Sequence, residues 1–182
     1  MIMITTSRRP TKSMRTLCKD LVAMLPSLKK VNRGKMGFRA MLEKAAEIGA
    51  EKVIIIDRWK GRPGRIRLFE VGEKIIQIPP QIYVRGVKLR REFKIKEVNI
   101  PRTVFIEESK DENDEIIKIR EAFSKFFNLP KVKINEENKT QSFTLMRFSM
   151  DHENLIRVSF YLMPRKIEVG PRIRISHAVW DI

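Results

Sequence analysis

The chain has little of several residue types, and each scarcity limits what the protein can be. Its 182 residues include one cysteine, Cys18, so no disulfide can form within the chain, and a reducing cytoplasm is the expected location. It has no run of about 18 apolar residues, which argues against a hydrophobic membrane-spanning helix. Residues 1–9 are apolar only briefly and then basic, the reverse of a signal peptide, so we expect no secretion and no membrane partner.

Acidic residues are scarce relative to basic ones. The chain has 38 Lys and Arg against 22 Asp and Glu, a formal net charge of +16. The excess lies in residues 1–100, which hold 24 basic and 9 acidic residues, whereas residues 101–182 hold 14 and 13. A one-sided excess of this size is typical of proteins that bind a polyanion such as RNA, although a generally basic surface would also produce it.

The residues that usually carry catalysis occur only singly. No phosphate-binding GxxxxGK(S/T) loop is present, and His152 and His177 have no second His or Cys at metal-ligand spacing. Cys18 lies among apolar residues of a predicted helix and is interpreted as a packed thiol. Asp57 ends a predicted buried strand, where catalytic acids occur, but Arg58 beside it offers an ion pair. We therefore expect no enzymatic activity, no metal and no cofactor.

Hydrophobic periodicity predicts an α/β protein. Apolar residues recur at helical spacing before Pro26 and again before Gly49, and a continuous apolar run over 53–56 is typical of a strand buried on both faces. In order, the predicted segments of the first half are a strand at 1–6, a helix at 11–25 capped by Thr11 or Ser13, a loop at 31–35, a helix at 37–48 with Phe38 among its inward-facing residues, the strand at 53–56, a turn at 61–64, and strands at 65–71, 75–78 and 82–89.

Residues 101–182 repeat this layout. The predicted segments are a strand at 103–106, a helix at 112–127, a hairpin of strands at 142–150 and 155–163, and a last strand at 172–180. Four acidic residues at the start of that helix favour its macrodipole and are interpreted as structural: Asp111, Glu112, Asp114 and Glu115.

Two short motifs suggest that the halves are related. Ile4-Thr5-Thr6-Ser7 before the first predicted helix matches Ile106-Glu107-Glu108-Ser109 before the later one, and Leu25-Pro26 after the first matches Leu129-Pro130 after the second. We therefore expect one domain, 1–182, made of two pseudo-repeated halves, each a mixed sheet with packed helices. The halves are the basic residues 1–100 and the near-neutral residues 101–182.

Basic residues cluster at the predicted ends of strands and starts of helices. Arg8 and Arg9 follow the first predicted strand, and Arg58 and Lys60 follow the buried one. If these strands are parallel neighbours, their cations converge at one edge, where arginine forks and a helix N-terminus bind phosphates. Trp59 could stack on a base or pack on the adjacent hairpin, and the sequence favours neither. The predicted RNA-binding residues are Arg8, Arg9, Lys12, Arg15, Arg33, Lys35, Arg58, Trp59, Lys60, Arg62, Arg65 and Arg172.

Four motifs together resemble the Brix-domain family, and they occur in the family's order along the whole chain. They are Thr5-Thr6-Ser7-Arg8 with Pro10, Asn32-Arg33-Gly34, Asp57-Arg58-Trp59-Lys60-Gly61-Arg62-Pro63, and Glu168-Val169-Gly170-Pro171-Arg172. The resemblance implies an archaeal-type ribosome-biogenesis factor that binds ribosomal RNA precursors. It also implies that each half is similar to the anticodon-binding domain of class II aminoacyl-tRNA synthetases. The stretch 73–96 departs from the family pattern.

The charge and the resemblance together favour a non-enzymatic factor that holds a segment of precursor ribosomal RNA during assembly, with ribosomal or assembly proteins as candidate partners. Three alternatives remain open. The basic face could dock on an acidic protein as a scaffold in ribosome assembly, Asp57 could serve a nuclease or RNA-modifying enzyme, or the protein could compact DNA.

Overall fold

A mixed β-sheet of 11 strands forms the centre of the protein, in a computed structural model that describes residues 1–96, 98–110 and 113–182. Three α-helices pack on the sheet in this described part: α1 (Lys12–Met24), α2 (Phe38–Glu47) and α3 (Asp114–Phe127). The strands are β1 (Ile2–Thr6), β2 (Leu28–Lys30), β3 (Lys52–Trp59), β4 (Arg62–Val71), β5 (Ile75–Lys88), β6 (Val104–Glu107), β7 (Lys131–Val132), β8 (Phe143–Met150), β9 (Ile156–Met163), β10 (Ile167–Glu168) and β11 (Arg172–Val179). The α/β class predicted from the sequence is confirmed.

The order of the strands shows how the sheet is assembled. The order is β2-β1-β3-β4-β5-β11-β9-β8-β6-β7, and β10 pairs with β9. At one side β1 runs parallel to β2 and β3, and β4 and β5 follow antiparallel. At the other side β6 runs parallel to β7 and β8, and β9 and β11 follow antiparallel. The antiparallel pair β5–β11 joins the two sets of strands into one sheet.

Helices α1 and α3 cover one face of the sheet, where their apolar residues share a single core. Helix α1 begins at Thr11, whose Oγ1 accepts the Met14 N–H at 3.4 Å, and it ends before Pro26, which cannot continue a helix. Cys18 lies within this core, where burial raises the pKa of its thiol to about 12 against a smaller lowering by Lys30. The interpretation of Cys18 as a packed thiol is confirmed.

Helix α2 packs on the opposite face, against β1 and β3. Its buried Met41 and Ala45 form a second core with residues such as Met3 and Ile55. Phe38, predicted to point inward, is 48% exposed, because as the first residue of α2 it lies at the edge of this smaller core, with its ring centroid 5.8 Å from that of Phe69.

The turn between β3 and β4 differs from the prediction. It lies at Lys60-Gly61, where both residues have positive φ angles of 45° and 78°, rather than at 61–64. A two-residue hairpin turn requires such angles, and Gly61 takes its angle without the penalty a side chain would add. Pro63 and Gly64, assigned to the turn from their residue types, instead belong to β4.

Strand β5 also differs from the prediction, because it continues through Pro79-Pro80 as one strand. The pairing of β4 with β5 shifts register between Ile66 and Leu68, and such an irregularity accommodates residues that lack an N–H. Strands β2, β7 and β10 are only two or three residues long, too short to show a hydrophobic period, and the sequence does not predict them.

Helix α3 begins with a side-chain cap. Asn113 Oδ1 accepts the Ile116 N–H at 2.9 Å, and Asp114 and Glu115 occupy the first turn, consistent with a structural role at the helix dipole. The rest of the predicted acidic cluster, Asp111 and Glu112, lies outside the described residues.

Candidate nucleic-acid interface

One end of the sheet gathers the basic loops of the first half. Strands β1, β2 and β3 run parallel, β4 runs against β3, and β5 runs against β4. The carboxyl ends of β1, β2, β3 and β5 therefore lie at the same end of the sheet as the start of β4. We call this end the basic edge and define it by Arg8, Arg9, Arg33, Arg58 and Arg62.

The loops after β1 and β3 are tied together at the basic edge. The Ser7 N–H donates to the carbonyl oxygen of Ile56 at 2.9 Å, and Ser7 Oγ accepts the Arg58 N–H at 3.2 Å. The guanidinium of Arg58 donates to the carbonyl oxygen of Arg9 at 3.5 Å. The predicted convergence of cations after two parallel neighbouring strands is thus observed.

Arg33 lies beside this junction with 8% of its surface exposed. Its Nη1 donates to the thioether of Met41, and its guanidinium lies 5.7 Å from the ring centroid of Phe38. Its Nε is buried and has no hydrogen-bond partner among the described residues. Burial, and then the charges of Arg8 and Arg67, lower the pKa of Arg33, while Asp57 opposes this. The positive charges of Arg8 and Arg67 are therefore both close enough to repel that of Arg33.

The start of α2 adds backbone donors to this cluster. Gly37 caps α2 without a side-chain hydrogen bond, so the first N–H groups of the helix receive no acceptor from its cap residue. A Cβ added to Gly37 would lie 3.7 Å from Arg8 Nη2, which places that guanidinium against the helix start. Helix N-termini and paired arginines both favour anions, so Arg8, Arg33 and α2 form a cradle suited to a phosphate group.

Asp57 accepts hydrogen bonds from two neighbouring arginines. Its Oδ2 accepts from Arg65 Nε at 2.8 Å and from Arg67 Nε at 2.7 Å, and its Oδ1 accepts from Arg67 Nη2 at 3.1 Å. The predicted ion pair of Asp57 with Arg58 was wrong, because the side chain of Asp57 points across the sheet to β4 rather than along β3. Burial tends to lower the pKa of Arg65, but its bonds to Asp57 outweigh this and raise it. The charge of Arg65 is thus partly matched within the protein.

Arg172 lies at the same end of the sheet, because it pairs with Lys88 at the carboxyl end of β5, but its charge is matched within the protein. Its guanidinium donates to both carboxylate oxygens of Glu168, at 2.7 and 2.6 Å, and lies 5.4 Å from the ring centroid of Phe93. Gly170, with φ of 67°, lies against that ring, since an added Cβ would come within 2.4 Å of it. The motif 168–172 therefore builds a packed cluster in which Glu168 matches the charge of Arg172.

The remaining predicted residues are exposed around the basic edge. Lys12 and Arg15 lie on the first turns of α1, Lys35 precedes α2, and Lys60 forms the β3–β4 turn. Arg62 lines a shallow pocket of about 490 Å³ together with Ser13 and Arg91, which brings the start of β4 next to the start of α1.

A groove continues from the basic edge across the sheet face that carries α2. Its volume is about 770 Å³, and Trp59, Arg62, Arg65, Tyr83, Arg85 and His177 are among its lining residues. The sequence does not identify Tyr83, Arg85 and His177 as neighbours, because they meet only through the pairing of β5 with β11. The alternation of polar and apolar residues in the predicted strand 82–89 is the one signal that places Tyr83 and Arg85 on a common face.

Comparisons with known proteins point to one group of archaeal proteins. No protein-family model matches the chain. It is 35% identical over 125 residues to a probable Brix domain-containing ribosomal biogenesis protein of Methanopyrus kandleri, covering 66% of this chain and 63% of that protein. It is also 35% identical over 99 residues to the equally named protein of Pyrococcus horikoshii, covering 54% and 44%. The matched segment thus spans less than two thirds of either relative.

Solved structures match over nearly the whole chain. The crystal structure of a probable ribosomal biogenesis protein from Aeropyrum pernix K1 superposes with a TM-score of 0.74 at 25% identity, covering 97% of this chain and 95% of that one. An archaeal Imp4-like protein shares the fold with a TM-score of 0.64 at 17% identity, covering 97% of both chains. Within the described residues, no helix has the length and apolar character needed to cross a membrane.

Proposed function

We propose, from the premise that this chain is a homologue of the archaeal Brix-domain proteins, that it is a ribosome-biogenesis factor that binds precursor ribosomal RNA without catalysis. The observation that carries the RNA-binding part is the cradle at the basic edge. There Arg33 keeps a buried, unpartnered Nε among the described residues, next to Arg8 and the uncapped start of α2. A protein with no anionic partner would gain nothing from holding these charges together.

The mode of action follows from the type of contact. Arginines and helix N-termini bind phosphates, which position a strand without reading its sequence. The protein would hold a segment of RNA at the basic edge until assembly proceeds and then release it. Asp57 supports this non-catalytic reading, because Arg65 and Arg67 engage both of its carboxylate oxygens.

We further propose that the chain is one domain built from two related halves, 1–100 and 101–182, each similar to the anticodon-binding domain of class II aminoacyl-tRNA synthetases. The strand order supports this, because β1 lies between β2 and β3 and runs parallel to both, as β6 does with β7 and β8. The near-neutral half would complete the sheet and offer a surface to ribosomal or assembly proteins.

RNA binding tests the proposal directly. Replacing Arg8, Arg58 and Arg62 together with Glu should weaken binding to precursor ribosomal RNA by at least about a hundredfold, since each lost charge-assisted bond is worth about 1.5 kcal/mol or more. The control replaces Lys118 and Lys133, two exposed lysines of the second half, with Glu as well. It should change the affinity for RNA by less than about threefold. Equal losses in both variants, or equal displacement by heparin and by RNA, would instead favour a scaffold that docks on an acidic protein.

A further inference from the structure

Four side chains form a row across the middle of the sheet, on the face that carries α2. Asp57 of β3 pairs with Arg65 of β4, and Arg65 pairs with Tyr83 of β5. Tyr83 in turn pairs with His177 of β11. Cross-strand partners project from the same face of a sheet, so the row forms the floor of the groove described above.

Tyr83 and His177 stack on each other in this row, so that each ring covers one face of the other. Their ring centroids lie 4.4 Å apart with an interplanar angle of 10°. Ser176 Oγ lies 3.0 Å from His177 Nδ1 and donates to the carbonyl oxygen of Tyr83 at 3.3 Å, while Gln81 Nε2 donates to the Tyr83 hydroxyl at 2.7 Å. The pair is therefore held in place, and the His177 ring remains exposed to the groove.

Trp59 provides a second aromatic surface in the same groove. Trp59 is the last residue of β3, lines the groove, and has 63% of its surface exposed. A Cβ added to Gly64 would come within 2.1 Å of Trp59 Cβ, so the close approach of β4 to Trp59 requires glycine at that position. The base of the Trp59 side chain is thus fixed against β4 while the residue stays largely open to solvent, and an exposed indole is suited to cover a planar ligand.

Two arginines that form no ion pair among the described residues also lie along this groove. Arg62 and Arg85 line it and are exposed. Arg174, which precedes His177 on β11 and pairs with Gly86, donates to Asp151 at 2.6 Å and also to Glu153, so its charge is neutralised within the protein. The groove thus combines aromatic rings with the exposed guanidinium groups of Arg62 and Arg85.

We propose that this groove binds unpaired nucleotides of RNA, with one base stacked on the Tyr83–His177 pair, a neighbouring base on Trp59, and phosphates at Arg62 and Arg85. Sequence-tolerant binding of single strands uses this combination of aromatic stacking and a basic groove. The bases of an RNA duplex are stacked on one another and closed to such contacts, so duplex RNA would use only the basic edge. A volume of about 770 Å³ suits one or two nucleotides rather than a helix. The inference rests on the proposed RNA binding and specifies which part of the RNA is held.

A pair of probes separates base stacking from phosphate contacts. The full chain is titrated with an oligouridylate of about 12 nucleotides and with an abasic ribose-phosphate strand of the same length. Wild-type protein should bind the oligouridylate at least about tenfold more tightly than the abasic strand, the effect of roughly one stacked base. The double variant Trp59→Leu, Tyr83→Leu should lose this preference while keeping its affinity for the abasic strand.

Two control variants test whether the loss comes from stacking rather than folding. Tyr83→Phe keeps the aromatic face and should keep the preference. Tyr161→Leu removes a tyrosine whose ring lies 4.7 Å from the guanidinium of Arg147 in the other half of the sheet, and it should also keep the preference.

Each other outcome overturns a different statement. Equal affinity of the wild type for both strands would refute the groove proposal and leave RNA binding at the basic edge intact. Equal loss of affinity for both strands in the double variant would show that these aromatic residues act only on the fold. Failure of the wild type to bind either strand would refute the proposed function itself.

Discussion

Arg33 places a positive charge where a lone arginine is unfavourable. It is 8% exposed, its buried Nε lacks a hydrogen-bond partner within the described part of the chain, and Arg8 and Arg67 are close enough to lower its pKa. Burying a charge costs free energy unless it is paired, and like charges add to the cost. Such a residue persists where a ligand supplies the missing negative charge, so its contribution to stability and its contribution to binding should have opposite signs.

The variant Arg33→Met separates these two contributions. Methionine keeps most of the side chain volume beside Met41 and Phe38 and removes the charge, so the free energy of unfolding should stay unchanged or rise by about 1 kcal/mol. RNA affinity should fall about tenfold, the effect of losing a charge-assisted hydrogen bond. Urea denaturation and RNA titration measure the two quantities.

Arg165→Met is the matched control for Arg33, since Arg165 is exposed in the turn between β9 and β10. It should change neither quantity appreciably. A destabilised Arg33→Met variant that binds RNA as the wild type does would contradict the argument, because Arg33 would then serve the fold rather than the ligand.

At the level of elements, the ion pairs of Asp57 tie β3 to β4. Asp57→Asn leaves Arg65 and Arg67 without their counter-charge and should lower the free energy of unfolding by about 2 kcal/mol, less than for a fully buried pair because the Arg65 side chain is 37% exposed. RNA affinity should be unchanged or higher, because a negative charge beside the groove is lost.

Glu43→Gln is the control for this ion pair. Glu43 pairs with Arg39 on the exposed side of α2, where side chains are 66% and 94% exposed, so the change should cost less than about 0.5 kcal/mol. If Asp57→Asn abolished an RNA-cleaving or RNA-modifying activity of the wild type without destabilising it, Asp57 would be catalytic after all.

The turn between β8 and β9 predicts a pH dependence. Desolvation tends to raise the pKa of Asp151, but bonds from the N–H groups of Leu155 and Glu153 and from Arg174 outweigh it and lower the pKa to about 2. A carboxylate with a lowered folded-state pKa stabilises the fold above its unfolded pKa of about 3.9, and that contribution is lost as pH falls toward 2.

Thermal unfolding between pH 5 and about pH 2 measures this dependence. The melting temperature of the wild type should fall over this interval by more than that of Asp151→Asn, whose amide cannot titrate. At neutral pH the wild type should be the more stable of the two. Parallel curves for both proteins would show that Asp151 does not contribute through its charge.

The helices could be predicted from the sequence, whereas the course of β4 and β5 could not. Helices α1 and α3 follow from apolar spacing, from the Thr11 cap of α1, and from the prolines after them, all of which act within a few residues. The Lys60-Gly61 turn and the passage of β5 through Pro79-Pro80 depend on how β4 is registered against its neighbours. Residue preferences alone therefore placed a turn and a strand break where the sheet continues.

At the scale of the whole molecule, the asymmetry of charge is visible in the sequence but the groove is not. Arg9 and Arg58 can be expected to converge, because a single parallel pairing of β1 with β3 suffices to bring them together. Tyr83 and His177 lie 94 positions apart and meet only after both halves form and β5 pairs with β11. The contacts of Arg172 were missed for a related reason, since its partners Glu168 and Phe93 come together only in the folded sheet.

The number of phosphates that the basic edge and the groove contact together should determine how strongly RNA affinity depends on salt concentration. Each phosphate that a cation neutralises releases counterions, so about six contacts to a single strand should give a slope of roughly −4 in log affinity against log salt concentration. Replacing Arg8, Arg58 and Arg62 with Gln removes three of these contacts and should reduce the slope to about −2, whereas the aromatic variant Trp59→Leu, Tyr83→Leu should lower affinity at every salt concentration and leave the slope unchanged. Titration of an oligouridylate at a series of potassium chloride concentrations measures both slopes. A wild-type slope near zero would mean that the net charge of +16 is spread over the surface without forming a phosphate-binding site. A slope altered by the aromatic variant would mean that Trp59 and Tyr83 also affect the phosphate contacts, so that stacking in the groove and phosphate binding at the basic edge are not separate.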